Sequence, residues 1–255
     1  MSNLRVAVLG LGEAGGEIAR DLVAAGADVR GFDPLVPPPA GVAPRTSDAD
    51  AVRDADLVLS VNSAHDAVPA LESSLDCLRA GTIWADLNTA APSVKRELAR
   101  RATHVVDVAL MAPVPGKGLR TPMLISGEDD AVARYAEALT ALGADVTVQP
   151  GPAGEAISRK LLRSVFYKGL AAAVVEALAA AEAAGCEDWL RDNIGAELAG
   201  FDERTIDRLV TGTRRHARRR ADEMAAAAEQ LRALGVPLRI STAAHELLVS
   251  LTDAP

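Results

Sequence analysis

The sequence predicts an α/β domain with a mostly parallel, doubly wound sheet over residues 1–150, followed by an all-helical domain over 151–255. Three observations predict it. Up to residue 150, short β-branched apolar runs alternate with Ala/Leu-rich segments of helical spacing. That alternation is the pattern of a parallel sheet covered on both faces. After Gln149-Pro-Gly-Pro152 no further run of strand type occurs. From Ala153 to Ala184 there is instead a stretch of strong helix formers without an interior proline.

The strand runs are Arg5–Leu9, Asp28–Phe32, Leu57–Val61, Thr82–Asp86, His104–Val108, Met123–Ser126 and Asp145–Val148. Short, largely apolar runs of this kind suit strands buried on both faces. Helices are expected over Glu13–Ala25, Ala64–Leu78, Pro92–Ala102 and Asp129–Leu142, with Pro92 in a first turn where its missing N–H costs nothing. In the second half Gly185, Gly195, Gly200, Gly212 and Gly235 are expected to punctuate the chain into further helices.

Composition narrows the function classes. At 255 residues and 49% hydrophobic, the chain can build a real core, which excludes disorder as a description of the whole. Aromatics are only 3%, so that core rests on Ala, Val and Leu. A net charge of −8 with few aromatics argues against nucleic acid as a partner. Cys77 and Cys186 form no zinc-ligand spacing and no disulfide framework, so a reduced, cytoplasmic setting without a bound metal is expected. No targeting or membrane segment is expected: Gly169–Gly185 is apolar but short, carries Glu176 and Glu182, and reads as a buried helix of a soluble protein.

The strongest local signal is Val6-Ala-Val-Leu-Gly10-Leu11-Gly12-Glu13-Ala14-Gly15, which follows a strand and opens a helix. Asp33 ends the next strand. Together these make the full dinucleotide fingerprint of a Rossmann domain. Gly10 permits the tight turn, Gly12 lets the backbone approach a pyrophosphate, and Gly15 lets helix and strand pack closely. The free N–H groups of the helix N-terminus then face the phosphates. A carboxylate at position 33 accepts from ribose hydroxyls and repels a 2′-phosphate, so NAD(H) is expected over NADP(H). Pro34, Leu35 and Val36 follow it and offer no phosphate clamp; Arg30 and Arg45 are the nearby cations.

The order of motifs resembles the β-hydroxyacid dehydrogenases, the superfamily that includes 6-phosphogluconate dehydrogenase, in a branch with a distinct C-terminal helical domain. Those motifs are the glycine loop, Leu57-Val-Leu-Ser-Val-Asn62, Asp86-Leu-Asn88-Thr89-Ala-Ala-Pro92, Asp107-Val-Ala-Leu-Met111-Ala-Pro-Val-Pro-Gly116 and Gly154-Glu-Ala-Ile-Ser-Arg-Lys160-Leu-Leu-Arg-Ser164. The resemblance implies that Lys160 is the catalytic lysine and that the loops at Asn62 and Asn88 border the nicotinamide end of the cofactor. Hydride transfer from an alcohol releases a hydroxyl proton, and a lysine in a cleft can accept or return it.

The chain departs from the family in three ways. Ser164 stands where the family usually has Asn. The family's Ser-Gly-Gly carboxylate anchor falls on Met111-Ala-Pro in one register and on Pro115-Gly-Lys117 in the other, without a serine in either. The helical half is compact. Ser164 and Lys168, on the face of Lys160, and Met111, Lys117 and His216 are therefore the candidate substrate contacts. The basic stretch Thr213–Met224 reads as one helix whose arginines either form salt bridges with its own acids or meet an acidic substrate group.

The expected activity is an NAD-dependent dehydrogenase or reductase of a small hydroxy acid or related alcohol. The alternatives are an imine reductase, a decarboxylating sugar-acid dehydrogenase and a non-catalytic dinucleotide-binding sensor. Imine reductases share the two-domain layout but commonly lack the lysine. The Ala153–Ala184 helix carries more apolar residues than one stripe holds, so a homodimer through the helical domain is expected.

Overall fold

The computed structural model describes residues 4–252. It divides into two compact units, one running to Arg163 and the other starting at Ser164.

The first unit is an eight-stranded sheet in the order β3-β2-β1-β4-β5-β6-β7-β8. Its strands are β1 (Arg5–Leu9), β2 (Asp28–Phe32), β3 (Ala43–Pro44), β4 (Leu57–Ser60), β5 (Ile83–Asp86), β6 (Val105–Leu110), β7 (Met123–Gly127) and β8 (Val146–Val148). All pairings are parallel except β6 with β7. The chain leaves β1 toward β2 on one side and returns to β4 on the other, so the order reverses beside β1. Ligands of open α/β sheets sit at that point.

Helices α1 (Glu13–Ala24), α2 (Asp48–Val52), α3 (Ala67–Ser74), α4 (Pro92–Arg101) and α5 (Asp129–Ala141) link the strands. The two faces of the sheet bury separate cores, one around Ile18, Leu22, Val106 and Tyr135 and the other around Leu71, Trp84 and Leu98. The short β3 and α2 have no counterpart in the sequence reading. A two-residue strand carries no periodicity, and the five-residue α2 is signalled only by its Ser47 cap, which accepts from the Asp50 N–H. Helix α3 starts three residues later than its pattern suggests because Ser63 and Asp66 close a turn first, with Oγ and Oδ2 2.6 Å apart.

Helix α6 (Glu155–Ala183) runs from the first unit into the second. The second unit adds α7 (Glu187–Ala199), α8 (Thr205–Arg215), α9 (Ala217–Ala233) and α10 (Ile240–Ser250). Two expectations are corrected here. Gly195 and Gly212 lie inside α7 and α8; an interior glycine costs a helix only about 1 kcal/mol, which the remaining residues outweigh. The basic stretch is not one helix either, because the chain breaks at His216 between α8 and α9. Burial of Ala217 and Ala221 fixes α9 on a face of its own.

Helix α6 leaves apolar residues uncovered, as expected of a helix with more than one apolar stripe; only for Gly169–Gly185, expected to be buried, does the exposure of Val175 depart from the sequence reading. Leu162, Val165 and Val175 are 68%, 75% and 68% exposed in the single chain. Its apolar residues surround the axis, and one small unit cannot cover every side. Length and apolar composition alone would let this helix cross a bilayer. Yet Glu176 at its middle accepts the backbone N–H groups of Arg239, Ile240 and Ser241, which ties α6 to the start of α10.

Candidate functional site

The glycine loop follows from close approaches that no side chain would permit. Gly10 has φ +92°, and a Cβ there would lie 2.5 Å from the Val61 carbonyl oxygen. A Cβ on Gly15 would lie 1.9 Å from the Gly10 carbonyl oxygen, so α1 rests directly on the turn. At Gly12 a Cβ would meet nothing within 4 Å. Gly12 is also the N-cap of α1 and supplies no side-chain cap. The open space therefore faces the uncapped N-terminus of a twelve-residue helix, a cradle fit for the phosphates of a dinucleotide.

A cleft of about 540 Å³ continues from there, lined among others by Gly10, Gly12, Asp33, Asp48, Asn62 and Asp66. Asp33 does more than face it. Its Oδ2 accepts from the Leu11 N–H at 2.8 Å, and its Oδ1 accepts from Leu35 and Val36 at 2.8 and 3.0 Å. Burial pushes its pKa up, but the three backbone donors outweigh that and hold it below the ordinary value. Burial, then the charges of Asp66 and Asp33, push Asp48 the other way. Arg30 and Arg45, the cations that could have met a phosphate, donate instead to the carbonyls of Arg53 and Pro44. Leu11 is buried, while Glu13 is exposed and Ala14 packs against the core.

At the C-terminal ends of β4 and β5 the polar side chains converge. Asn88 Nδ2 donates to Asn62 Oδ1 at 2.8 Å, to Ser60 Oγ at 3.1 Å and to Asp86 Oδ1 at 2.5 Å. Asn62 Oδ1 also accepts from the Ser63 N–H. The two asparagines named by the sequence are thus joined by a direct hydrogen bond. Lys160, half-buried in the second turn of α6, donates from Nζ to Thr89 Oγ1 at 2.8 Å. Asn88 and Thr89 therefore link the loops after β4 and β5 to the lysine.

Other candidates are placed differently. Met111 packs against the cluster of Ala109, Ala156 and Ile157, and its carbonyl accepts from Arg163 Nη1 at 3.1 Å. Lys117 is exposed and leads into a 3-10 turn anchored on α1, where the Leu119 N–H donates to Asp21 Oδ2 at 2.8 Å. Ser164 and Lys168 lie in the second unit on α6, half-buried and exposed respectively. His216 is exposed at the α8–α9 break, and Arg219 pairs with Glu223 as its spacing suggests.

Sequence reasoning missed a buried ionic cluster beneath this site. Lys95 of α4, 1% exposed, lies 2.6 Å from Asp86 Oδ2 and 3.2 Å from Asp107 Oδ1. The one available signal was Asp107 itself, a carboxylate inside the otherwise apolar run of β6.

A doubly wound sheet with an uncapped helix N-terminus at its reversal point defines a dinucleotide-binding protein. Residues 5–151 match the family described as the NAD binding domain of 6-phosphogluconate dehydrogenase, and the chain belongs to that family. Residues 181–251 match a domain of unknown function, DUF1932. This bears out the resemblance drawn from the motifs. A probable 3-hydroxyisobutyrate dehydrogenase of Mycobacterium tuberculosis is 31% identical over 190 residues, which are 71% of this chain and 65% of that protein. The chain thus matches about 65% of the length of its curated relatives. A solved protein of unknown function, described as structurally similar to 3-hydroxyacid dehydrogenases, is 26% identical, with a TM-score of 0.62 over 98% of this chain and 97% of that one. An imine reductase of Streptomyces aurantiacus shares the fold, with a TM-score of 0.79 at 18% identity over 96% of this chain and 93% of that one.

Proposed function

We propose that this protein is an NAD-dependent oxidoreductase that moves a hydride between nicotinamide and a small hydroxy acid, with Lys160 as general acid/base. The observation that carries the reading is the hydrogen bond from Lys160 to Thr89, at the loop that also holds Asn88. It keeps an amine at the loop after β5, whose Asn88 is hydrogen-bonded to Asn62 of the cleft.

The glycine loop and the α1 N-terminus would hold the pyrophosphate, and Asp33 the adenosine ribose. The bound nicotinamide supplies the hydride acceptor or donor. In oxidation, the neutral amine of Lys160 takes the hydroxyl proton as the carbonyl forms; in reduction, its ammonium returns it. Thr89 Oγ1 holds the amine in place throughout. Ser164, Lys168 and His216 are candidates for contacting the acidic part of the substrate.

Preference for NAD(H) over NADP(H) is supported by three carboxylates on one cleft, Asp33, Asp48 and Asp66. They would repel a 2′-phosphate, and Arg30 and Arg45 are engaged elsewhere. The exposed apolar residues of α6 support a homodimer, and the tie between Glu176 and α10 supports a helix packed in its own domain rather than one crossing a membrane. The likeness to imine reductases is one of fold, and Lys160 favours alcohol chemistry over theirs.

The test is a panel of small hydroxy acids, 3-hydroxyisobutyrate among them, offered with NAD and NADP side by side. Cofactor reduction with at least one acid, faster with NAD, is the expected result. Tight NAD binding with no turnover of any hydroxy acid would leave the sensor reading in its place.

A further inference from the structure

We propose that Lys95, Asp86 and Asp107 are positioning residues for Lys160: the buried ionic cluster sets the start of α6 and the loop after β5 in one frame. This rests on the reading of Lys160 as the acid/base.

The cluster has two arms. Toward the cofactor loops, Lys95 Nζ donates to the Asp86 carbonyl at 2.7 Å and pairs with its Oδ2, while Asp86 Oδ1 accepts from Asn88. Thr89 is the next residue. Toward the helix, Asp107 Oδ2 accepts the N–H groups of Gly154 and Ile157, each at 3.0 Å, and lies 3.3 Å from Ser126 Oγ, which accepts from the Ala156 N–H. Asp107 thereby caps α6 one turn before Lys160. The hydrogen bond from Lys160 to Thr89 joins the two arms into a closed ring.

Charge and burial argue for positioning over simple stability. One ammonium faces two carboxylates, and the excess negative charge falls on Asp107, against the positive end of α6. Both carboxylates are fully buried, so neither they nor Lys95 can touch a substrate. Well-packed apolar residues would often stabilise such a site as well or better; charge-assisted hydrogen bonds add fixed direction and length. Here the fixed directions end on the two partners of the Lys160–Thr89 contact.

Two variants test this. Asp107→Asn keeps the shape and removes the charge that caps α6. Lys95→Met with Asp86→Asn removes one charge of each sign, so it stands in if the single change fails to fold. The amine of Lys160 is read without any substrate, by acylation with acetic anhydride and peptide mass spectrometry, with Lys117 of the same chain as internal reference. Hydrogen exchange over residues 155–163 is followed alongside.

Positioning predicts a changed Lys160-to-Lys117 labelling ratio and exchange about tenfold faster over 155–163, with β1 and β4 unchanged. NAD affinity is expected to hold, and kcat to fall between about tenfold and a hundredfold with little change in KM. A lower Tm with an unaltered labelling ratio and no local gain in exchange would overturn the proposal and leave the cluster a structural one. Lys160→Met separates the two ideas: normal turnover in that variant would refute the acid/base reading, while the labelling result would still judge the positioning.

Discussion

Lys160 Nζ and Thr89 Oγ1 lie 2.8 Å apart, joining the second turn of α6 to the loop after β5. This contact ties the amine to the backbone of both elements, and the proposed acid/base role rests on it. Lys160→Met is expected to keep NAD affinity and to lose turnover by a factor on the order of 10² or more. Lys160→Arg should fail almost as badly, because a guanidinium stays protonated and cannot accept the proton. Thr89→Val, which removes only the acceptor, should cost about tenfold in kcat. Lys168→Met should change substrate affinity and leave kcat near normal. Steady-state kinetics at saturating NAD with the best acid of the panel checks all four.

The glycine loop makes a prediction with an internal contrast. In Gly15→Ala the new methyl would lie 1.9 Å from a backbone oxygen, so α1 must move; lower Tm and loss of NAD binding are expected together. In Gly12→Ala the methyl meets no protein atom and instead enters the cradle. That variant should melt like the parent and still bind NAD at least about tenfold more weakly, the scale of a displaced charge-assisted contact. Thermal melts paired with cofactor titrations decide it; normal NAD affinity in Gly12→Ala would place the pyrophosphate elsewhere.

Asp33 accepts three backbone N–H groups and is proposed to select the cofactor, and its variants should separate the two roles. Asp33→Ala removes the acceptor of three backbone N–H groups as well as the charge, so a drop in stability should accompany a shift toward NADP(H). Asp33→Asn keeps an acceptor and loses the charge, so the shift should come with less destabilisation. Titrating both cofactors against each variant tests this, and equal wild-type affinity for NAD and NADP would refute the preference.

The strand-helix alternation and the glycine fingerprint made the sheet and the cleft legible, because both write themselves into local spacing. Lys160, Asn62 and Asn88 became candidates through motif order, and the fold joins Asn62 to Asn88 and Lys160 to Thr89. Lys95 was not among them: on α4 it reads as one more charge among Lys95, Arg96, Arg100 and Arg101. Only the fold shows that its ammonium turns inward between Asp86 at the end of β5 and Asp107 within β6. The excess of apolar residues on α6 was legible, but which of its turns stay uncovered, Val175 among them, was not. An apolar helix looks buried in sequence whether its cover comes from its own chain or from another.

That cover is expected to be a second copy. With Leu162, Val165, Phe166 and Val175 all more than half exposed, mass measurement at micromolar concentration should give a dimer. Val165→Glu should shift it toward monomer, and a stable wild-type monomer would remove the idea.

Glu176 gives the sign of an acid effect on stability. Burial raises its pKa, but the N–H groups of Ile240, Ser241 and Arg239 outweigh that and hold it below the ordinary 4.5. A carboxylate depressed in the folded state binds its proton less readily there than in the unfolded chain. Its contribution is therefore complete above about 4.5 and is lost as pH falls through the lower folded value. Glu176→Gln keeps the shape and removes the charge at the start of α10. Because the site is largely open to solvent, the difference at neutral pH should be modest, about 0.5 kcal/mol. Every other carboxylate is common to both proteins, so the difference between the two curves isolates Glu176. Urea midpoints measured from neutral pH to about pH 3 should show the variant below the parent at the top of the range and the gap closing at the bottom. A gap of constant size across that range would mean that the side chain acts through packing and not through its charge on the α10 N-terminus.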